Sequence, residues 1–366
     1  MVVNSFFPEI QRNFGFGCMR LPLVGEEVDL QQMNQMVDFF LANGFNYFDT
    51  AHGYLGGRSE VALRECLVKR HPRKSYILTN TLSTHFFQRE EEILPLFRQQ
   101  LDACGVDYFD FYLFHANSAV RHEKFTQTHA YDIVKQLKAE GKIRHIATSF
   151  HDSPEVLEQI LTEHPEIEAV QLQFNYADYE DPKVQSRRCY EVCRRFGKPI
   201  LVMEPVKGGS LAALPPEADA LLAGKSPAEY AIRYAAGFEG VFMVLSGMSD
   251  LHQMQENLSF MADFQPLSSQ EQQVVGKLRT LYQSRNKIPC TACRYCTDGC
   301  PAGIPIPDVF ACMNRLAAGE GDPKADYAAL DVKADACVGC GQCEKVCPQH
   351  LHIPQLLKEA VRKFAE

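Results

Sequence analysis

Short apolar runs alternate with amphipathic stretches from residue 14 to residue 260 of the chain. The runs are rich in Val, Ile, Phe and Tyr, and the stretches between them carry apolar residues three and four positions apart, which is the helical spacing. Runs that are apolar on both faces favour parallel strands covered by helices. Eight strands are predicted in this way, at 14–23, 46–51, 75–80, 109–116, 143–150, 168–176, 199–205 and 241–247.

Eight strand–helix units over about 250 residues predict a (β/α)8 TIM barrel. A doubly wound open sheet is the alternative, but no G-x-G-x-x-G follows the first strand. Two more helical stretches follow the last strand, and the composition then changes at 287–290. We therefore predict two domains, a barrel over residues 1–285 and a small α-helical ferredoxin-like domain over residues 286–366.

Composition excludes several classes of function. The chain of 366 residues is 46% hydrophobic and 23% charged, as in ordinary globular proteins. Its formal charge of −9 argues against a nucleic-acid partner, because contacts with phosphates need clustered Lys and Arg. No apolar run is long enough to span a membrane, and the first residues lack the pattern of a signal peptide. We expect no membrane association and a cytoplasmic location.

The 14 cysteines are unevenly distributed. Eight of them form two runs with the same spacing, C-x₂-C-x₂-C-x₃-C-P, which begin at Cys290 and Cys337. In a reducing compartment such clusters are more often metal ligands than disulfide partners. The six scattered cysteines are expected to be buried small side chains; they are Cys18, Cys66, Cys104, Cys189, Cys193 and Cys312.

This doubled run is the bacterial ferredoxin arrangement for two [4Fe–4S] clusters. Each run offers three thiolates to its own cluster, and the fourth, before proline, is directed to the other. The predicted ligands are Cys290, Cys293, Cys296 and Cys347 for the first cluster, and Cys337, Cys340, Cys343 and Cys300 for the second. A zinc site is the alternative, but it would use four cysteines in C-x₂-C pairs, not two complete runs. A helical stretch at 308–319 indicates the helical type of two-cluster domain.

Polar side chains follow several of the predicted strands. In a TIM barrel the active site lies where the strands end and the βα loops begin, so these residues are the candidates for chemistry. They are Asp49, Tyr54, His115, Ser149, Gln171, Gln173, Asn175, Glu204 and Ser246.

Six segments carry a resemblance to a known family: FGFGCMRLP, FDTAHGYLGGRSE, DYFDFYLFH, QLQFNY, EPVKGG and SGMSDLHQMQEN. In this order and spacing the chain resembles the aldo/keto reductases, specifically the branch with a C-terminal ferredoxin-like extension, over essentially its whole length. The resemblance implies reduction of a small carbonyl, or oxidation of an alcohol, with a nicotinamide cofactor that is usually NADPH and is bound without a Rossmann fold.

The resemblance also implies roles for individual residues. Tyr54 would be the proton donor, His115 would orient the carbonyl, and Asp49 would help to tune Tyr54, whose free pKa near 10 makes it a slow acid at neutral pH. The implied cofactor-binding residues are Ser149, Gln171, Ser246, Gly247, Ser249, Gln253 and Asn257.

At the end of the third strand this sequence departs from the family. Relatives have a lysine there whose cation stabilises tyrosinate. Here the position is Thr81, or Asn80 after a one-residue slip of the alignment, and neither is charged. Either another group tunes Tyr54 or the reductase chemistry is weakened, altered or lost. His52 and Lys207 are candidate substitutes on loops at the same face.

A second departure concerns the nucleotide. Ser249 stands where the family commonly has a cation for the 2′-phosphate, and residues 246–257 contain no Lys or Arg. A phosphate without a cationic partner loses charge-assisted hydrogen bonds. NADH is therefore more plausible here than in the family at large.

Three hypotheses follow for the function. The first is a nicotinamide-dependent oxidoreductase for a small carbonyl or alcohol. The second is an electron-transfer protein that uses the two clusters and a redox protein partner, and the third gives the clusters a structural role beside an inactive barrel. A hydride carries two electrons whereas a cluster accepts one, so the coupling of the two parts stays open. The long predicted loop at 116–129 is expected to contribute to substrate selection.

Overall fold

A closed barrel of eight parallel strands forms the centre of the computed structural model, which describes residues 5–365. Around the barrel the strand order is β1, β10, β9, β8, β7, β6, β5, β4, which confirms the predicted TIM barrel. The barrel strands are β1 (Phe14–Gly17), β4 (Tyr47–Asp49), β5 (Ile77–Leu82), β6 (Phe109–Asn117), β7 (Ile143–Phe150), β8 (Ala169–Gln173), β9 (Ile200–Met203) and β10 (Val241–Gly247). The short strands β2 (Leu23–Val24) and β3 (Glu27–Val28) form an antiparallel hairpin that the sequence did not predict.

Amphipathic helices follow most of the barrel strands and bury their apolar faces. Up to residue 261 they are α1 (Leu30–Ala42), α2 (Arg58–Leu63), α3 (Ile93–Cys104), α4 (Ala119–Gln127), α5 (Ala130–Ala139), α6 (Pro154–Glu163), α7 (Ser186–Arg195), α8 (Asp219–Leu222), α9 (Pro227–Ala236) and α10 (Leu251–Met261). The remaining helices are α11 (Ser269–Arg285), α12 (Tyr295–Asp298), α13 (Ile306–Ala318), α14 (Pro323–Ala328), α15 (Gln342–Lys345) and α16 (Ile353–Ala365).

Alternation along the strands decides which side chains enter the barrel. Tyr47, Ile77, Phe111 and Leu113 belong to one buried cluster inside the barrel. Because side chains alternate between the two faces of a strand, the residues two positions further on, among them Asp49, also point inward. The polar strand ends are thereby gathered above an apolar interior.

The segment at 116–129 differs from its prediction. We expected a loop, but most of it is helix α4. The Ser118 hydroxyl accepts a hydrogen bond from the Arg121 backbone N–H and caps the helix, as serine does at helix N-termini. The sequence signal was weak because α4 has few apolar residues, of which Phe125 is buried.

Two compact units account for the chain, and they are not continuous in sequence. The first comprises residues 5–175, 185–205 and 232–267, and the second comprises 176–184, 206–231 and 268–365. The linear boundary at 285/286 stays a prediction. None of the helices formed by residues 5–365 is long and apolar enough to cross a membrane.

The second unit has an apolar core of its own. Helix α13 confirms the helical stretch predicted at 308–319, and its Ile306, Val309 and Phe310 are buried with Leu357 of α16. The scattered cysteines are buried as expected in both units, and in the second unit Cys312 belongs to this core. A helical core without strands supports the two cysteine runs.

Candidate active site and cluster sites

Asp49 ends strand β4 inside the barrel and pairs in register with Thr79 of β5. The carboxyl is buried, and its Oδ2 has no hydrogen-bond partner among residues 5–365; the same holds for the hydroxyl of Thr79. Burial raises the pKa of Asp49 to about 8, because a charge is poorly solvated away from water. The carboxyl is therefore mainly protonated at neutral pH.

Strand β5 turns the two residues that could stand in the place of the expected lysine to opposite faces. Thr81 lies two positions after Thr79, on the inward face, and its buried hydroxyl has no hydrogen-bond partner within the described residues. Asn80 faces outward, where its amide nitrogen donates to Glu60 at 2.7 Å and its oxygen accepts from Gln100 at 3.1 Å. Thr81, which carries no charge, is thus the inward-facing residue at the end of β5, two positions beyond the register partner of Asp49.

The two proposed substitutes for the lysine are engaged with carboxylates. His52 Nδ1 lies 2.7 Å from Glu60 Oε2. Lys207 belongs to the second compact unit, where its ammonium donates to Asp178. Neither contact is with Asp49, so the expectation that one of them replaces the lysine gains no support.

Tyr54 and His115 face each other. Tyr54 begins a 3₁₀ turn, Tyr54–Gly57, after β4, and its ring lies edge-on to that of His115, with centroids 6.2 Å apart. His115 Nδ1 makes a hydrogen bond with the Ser83 hydroxyl. Burial, followed by the charges of Arg121 and His85, lowers the pKa of His115 to about 3. The imidazole is therefore neutral at physiological pH.

Two of the predicted cofactor-binding residues are brought together on neighbouring strands. Ser149 of β7 pairs in register with Gln171 of β8, and both side chains are buried. The Ser149 hydroxyl accepts from the backbone N–H of Ala116 at 2.6 Å, which leaves its own hydrogen to donate. This pair offers neutral donors and acceptors at the strand ends.

The other predicted cofactor residues follow β10. Buried Asn257 of α10 donates to the Ser246 hydroxyl at 3.5 Å, so these two lie between strand and helix. Ser249 is exposed, and its N–H donates to Gln253 Oε1 at 3.0 Å. Asp250 caps α10 by accepting from the Gln253 backbone N–H at 2.8 Å. A carboxylate therefore already occupies this helix N-terminus, where it disfavours a further phosphate.

Arg20 is a candidate nucleotide-binding residue that the sequence did not indicate. Its Cβ and Cδ lie 3.5 Å from where a Cβ on Gly247 would be, and its carbonyl accepts from the Ser249 hydroxyl at 3.0 Å. The aliphatic part of the Arg20 side chain thus lies against the exposed glycine that ends β10. The signal was present in FGFGCMRLP, but only the closed barrel brings β1 next to β10.

The first cysteine group collects thiols from both runs. The pKa of the Cys296 thiol is raised, first by burial and then by the neighbouring thiols of Cys293, Cys290 and Cys347. Three of these four lie in the first run, and Cys347 ends the second. The arrangement matches the ligand set that we predicted for the first cluster, and four thiols are the donor set that a [4Fe–4S] cluster requires.

The second cysteine group combines three thiols of the second run with one of the first. Cys300, from the first run, lines one cavity together with Cys337, Cys340 and Cys343 of the second. Burial raises the pKa of Cys343 to about 11, backbone hydrogen bonds oppose this rise, and the thiols of Cys337 and Cys340 add to it. Both predicted ligand sets are therefore assembled, and the role of each thiol as a ligand stays a proposal.

The two runs share a backbone conformation but not the residues that favour it. In the second run the left-handed positions are Gly339 and Gly341, with φ of 70° and 72°. Ala292 and Arg294 hold the equivalent positions of the first run, with φ of 52° and 64°. Left-handed backbone is unfavourable for residues with a Cβ. The first run therefore stores strain that the second avoids.

Comparison with known proteins matches both parts of the chain. The model of the aldo/keto reductase family matches residues 13–220, and that of the 4Fe-4S dicluster domain matches residues 289–352. An NADH-specific methylglyoxal reductase of Escherichia coli is 26% identical over 186 residues, which cover 46% of this chain and 54% of that protein. The alpha 1 subunit of an acetyl-CoA decarbonylase/synthase complex of Methanosarcina barkeri is 34% identical over 76 residues, 21% of this chain and 8% of that subunit.

Solved structures match the barrel. The aldo-keto reductase AKR11C1 from Bacillus halodurans superposes with a TM-score of 0.60 at 24% identity, covering 73% of this chain and 91% of that one. An aldo-keto reductase from Klebsiella pneumoniae in complex with NADPH gives a TM-score of 0.60 at 18% identity, with coverages of 73% and 90%. At these identities the likeness establishes the fold. The chain spans about half the length of the curated reductase that it matches.

Proposed function

Because the chain belongs to the aldo/keto reductase family and carries a domain for two [4Fe–4S] clusters, we propose that it is an NAD(P)H-dependent oxidoreductase for a small carbonyl or alcohol. The observation that carries the proposal is the pairing of Tyr54 with His115 at the strand ends, with centroids 6.2 Å apart. An acid and a neutral hydrogen-bond donor that converge on one point are what a carbonyl oxygen needs when its carbon is reduced.

Each residue of the site has its own role in the proposed reaction. A bound nicotinamide supplies the hydride. Tyr54 donates the proton to the carbonyl oxygen. Neutral His115 directs Nε2–H at the same oxygen when Ser83 donates to Nδ1, and so holds the carbonyl in place. Asp49 is mainly uncharged, because burial raises its pKa to about 8, and it adds no anion that would oppose loss of the Tyr54 proton.

Residues near the strand ends fit a nicotinamide nucleotide. The buried pair Ser149 and Gln171 suits a carboxamide, which has both a donor and an acceptor. Arg20, beside Gly247, suits a phosphate of the nucleotide.

We propose NADH as the preferred nucleotide. Ser249 is uncharged, and Asp250 already fills the α10 N-terminus. The relative from Escherichia coli is NADH-specific by name. Methylglyoxal is therefore a sensible first probe substrate.

Thr81 favours a second candidate function. With the uncharged Thr81 in the place of the family's lysine, the tyrosinate left after proton transfer loses the stabilisation that this lysine gives, and the reductase chemistry is expected to be slow. In that case the two clusters would carry the function as an electron-transfer module, with a redox protein as partner. The two candidates differ in whether hydride transfer depends on Tyr54.

The test is an anaerobic titration of cluster-loaded protein with NADH and with NADPH, followed by turnover with methylglyoxal. We expect micromolar binding, tighter for NADH, and a loss of turnover of at least a hundredfold in Tyr54→Phe. Tyr190→Phe is the matched control, since that hydroxyl donates to the Glu239 carbonyl at an exposed site. Binding of neither nucleotide would overturn the reductase proposal, and nucleotide binding with turnover that is unchanged in Tyr54→Phe would refute the role of Tyr54.

A further inference from the structure

A buried ion pair lies in the second compact unit, beside the first group of cysteines. The Lys207 side chain is only 1% exposed, and its ammonium lies 2.5 Å from Asp178 Oδ1, whose side chain is 4% exposed. Lys207 also donates to Gln349 Oε1 at 2.9 Å. Removing two charges from water is costly, and Lys207 additionally adopts a left-handed backbone with φ of 49°. The fold tolerates two unfavourable features at one residue, which indicates a role beyond packing.

Gln349 connects the lysine to a predicted cluster ligand. It lies two positions after Cys347, at the turn that follows the second run. The pKa of the Cys347 thiol is raised by burial, and hydrogen bonds from the backbone N–H groups of Leu351, Gln349 and His350 oppose this rise. The lysine thus holds the side chain of a residue whose backbone hydrogen-bonds to the sulfur.

The residue after Lys207 contacts the backbone beside Cys290, another predicted ligand of the first cluster. A Cβ on Gly208 would lie 2.2 Å from the Thr291 carbonyl oxygen, so the two backbones touch next to Cys290. Only glycine permits so close an approach. Lys207 therefore contacts Gln349, two positions after Cys347, and Gly208 contacts Thr291, the residue after Cys290.

The second cluster has no such support at the equivalent positions of the repeat. Ala302 corresponds to Gln349 and has no amide to accept a hydrogen bond from a cation. Val338 corresponds to Thr291 and is 71% exposed, whereas Thr291 is 3% exposed. The two halves share a backbone, since Gly303 and His350 are both left-handed with φ of 65° and 49°, but their surroundings differ.

We propose that Lys207, held by Asp178 and Gln349, raises the reduction potential of the first cluster above that of the second. A reduced cluster carries one more negative charge. Lys207 is paired with Asp178, but its ammonium donates to Gln349 and so presents the positive end of the ion pair to the ligand loop, which stabilises the added charge. Hydrogen bonds to the ligand sulfurs act in the same direction. Lys207 is a positioning and tuning residue, not a ligand. The inference rests on the proposed crossed ligand set and is independent of the nicotinamide reaction.

The test is an anaerobic redox titration of the full-length, cluster-loaded protein, followed by electron paramagnetic resonance. Lys207→Met keeps the length of the side chain and removes the charge. At a fixed potential we expect the reduced-to-oxidised ratio of the first cluster to fall at least tenfold, which corresponds to about 59 mV for one electron. The reduction potential of the second cluster should not change. Cys340→Ser identifies its signal, because that exposed residue belongs to the second ligand set and a serine oxygen in place of one sulfur should alter the spectrum of that cluster alone; iron content confirms that both clusters are retained.

Two further variants keep the test decisive. Lys183→Met removes an exposed lysine that lines the same cavity as Lys207, and it controls for a general change of surface charge. Gln349→Met breaks only the link to the turn after Cys347 and should also lower the reduction potential of the first cluster. It replaces Lys207→Met in the test if that variant fails to load its clusters. Iron and sulfide contents establish loading. The proposal would be overturned if the potential of the first cluster shifted no more in Lys207→Met than in Lys183→Met. It would also be overturned if that potential did not change in a loaded Gln349→Met.

Discussion

Replacing Thr81 by lysine tests how the barrel tunes its acid. Thr81 points inward two residues beyond Thr79, the register partner of Asp49. A lysine there would place its ammonium beside the Asp49 carboxyl, because both side chains enter the same end of the barrel. The variant restores the charge that the family has at this position, and we expect it to increase turnover.

The size of the effect follows from the pKa of Asp49. Burial raises it from 3.8 to about 8, a difference that corresponds to about 6 kcal/mol between the two protonation states. A lysine at about 4 Å contributes about 4 kcal/mol at an effective dielectric constant of 20, which offsets most of the cost of ionising the buried carboxyl. This attraction should lower the pKa of Asp49, and an ion pair should form at neutral pH. The same cation stabilises tyrosinate, so we expect carbonyl reduction to rise at least tenfold.

The pH dependence of stability provides a readout that does not involve turnover. In the unchanged protein the folded-state pKa of Asp49 lies above its unfolded value of about 3.9. The proton-linked stability is therefore fully present below about pH 4 and is lost as the pH rises through about 8. In Thr81→Lys this loss should shrink and be complete at a lower pH, because the cation favours the ionised carboxyl. Thermal midpoints measured anaerobically between pH 4 and 9 would follow it.

Thr81→Met is the matched control, since it adds a similar length without charge. Turnover is followed as the loss of NADH absorbance with a carbonyl substrate, for both variants and for Thr81→Lys combined with Tyr54→Phe. A gain in Thr81→Lys that disappears in the combined variant supports the reasoning. An equal gain in Thr81→Met, or a stability profile unchanged from the starting protein, would refute the view that the missing charge limits the reaction.

Three further predictions concern other parts of the molecule. Ala292→Gly should stabilise the loaded protein by up to about 1 kcal/mol, because φ of 52° disfavours a Cβ; slower cluster release in denaturant would show it. Asp110 is fully buried and binds Arg73 and Arg144 at 2.6 and 2.9 Å, so Asp110→Ala should cost about 3 kcal/mol in urea unfolding, and a loss below 1 kcal/mol would contradict this. Ser249→Arg should shift the ratio of NADPH to NADH affinity at least tenfold towards NADPH in fluorescence titrations, and an unchanged ratio would mean that this segment does not face the 2′-phosphate.

The barrel was predictable because its signals are local. Each strand is an apolar run followed by turn residues, and strand β6, at Phe109–Asn117, nearly coincides with its predicted run. The cysteine runs were equally clear, since their spacing repeats. Helix α4 was missed because its sequence is mostly polar, and a helix held by a serine cap and one buried phenylalanine has little periodicity to detect.

The site was predictable only in part, because several of its features depend on the strands that neighbour each other after folding. The sequence left open whether Thr81 or Asn80 stands in the place of the lysine, and only the folded strand shows that Asn80 turns away to bond with Glu60 and Gln100. Arg20 became a candidate only when β1 paired with β10. Lys207 was a candidate because its predicted loop follows a barrel strand, whereas its partner Gln349 lies 142 residues away in sequence. Such contacts leave no local pattern.

The exchange of one cysteine between the two runs has a consequence for the life of the protein in air. In the proposed ligand set Cys300 and Cys347 each leave their own run to close the other cluster, so neither cluster is complete without both halves of the domain. Oxidative loss of one cluster frees a cysteine turn that borders the other, and the second cluster then loses a fixed support. Damage should therefore be all-or-none, and repair would have to insert both clusters together. A population exposed briefly to oxygen should contain molecules with two clusters or none, and few with one.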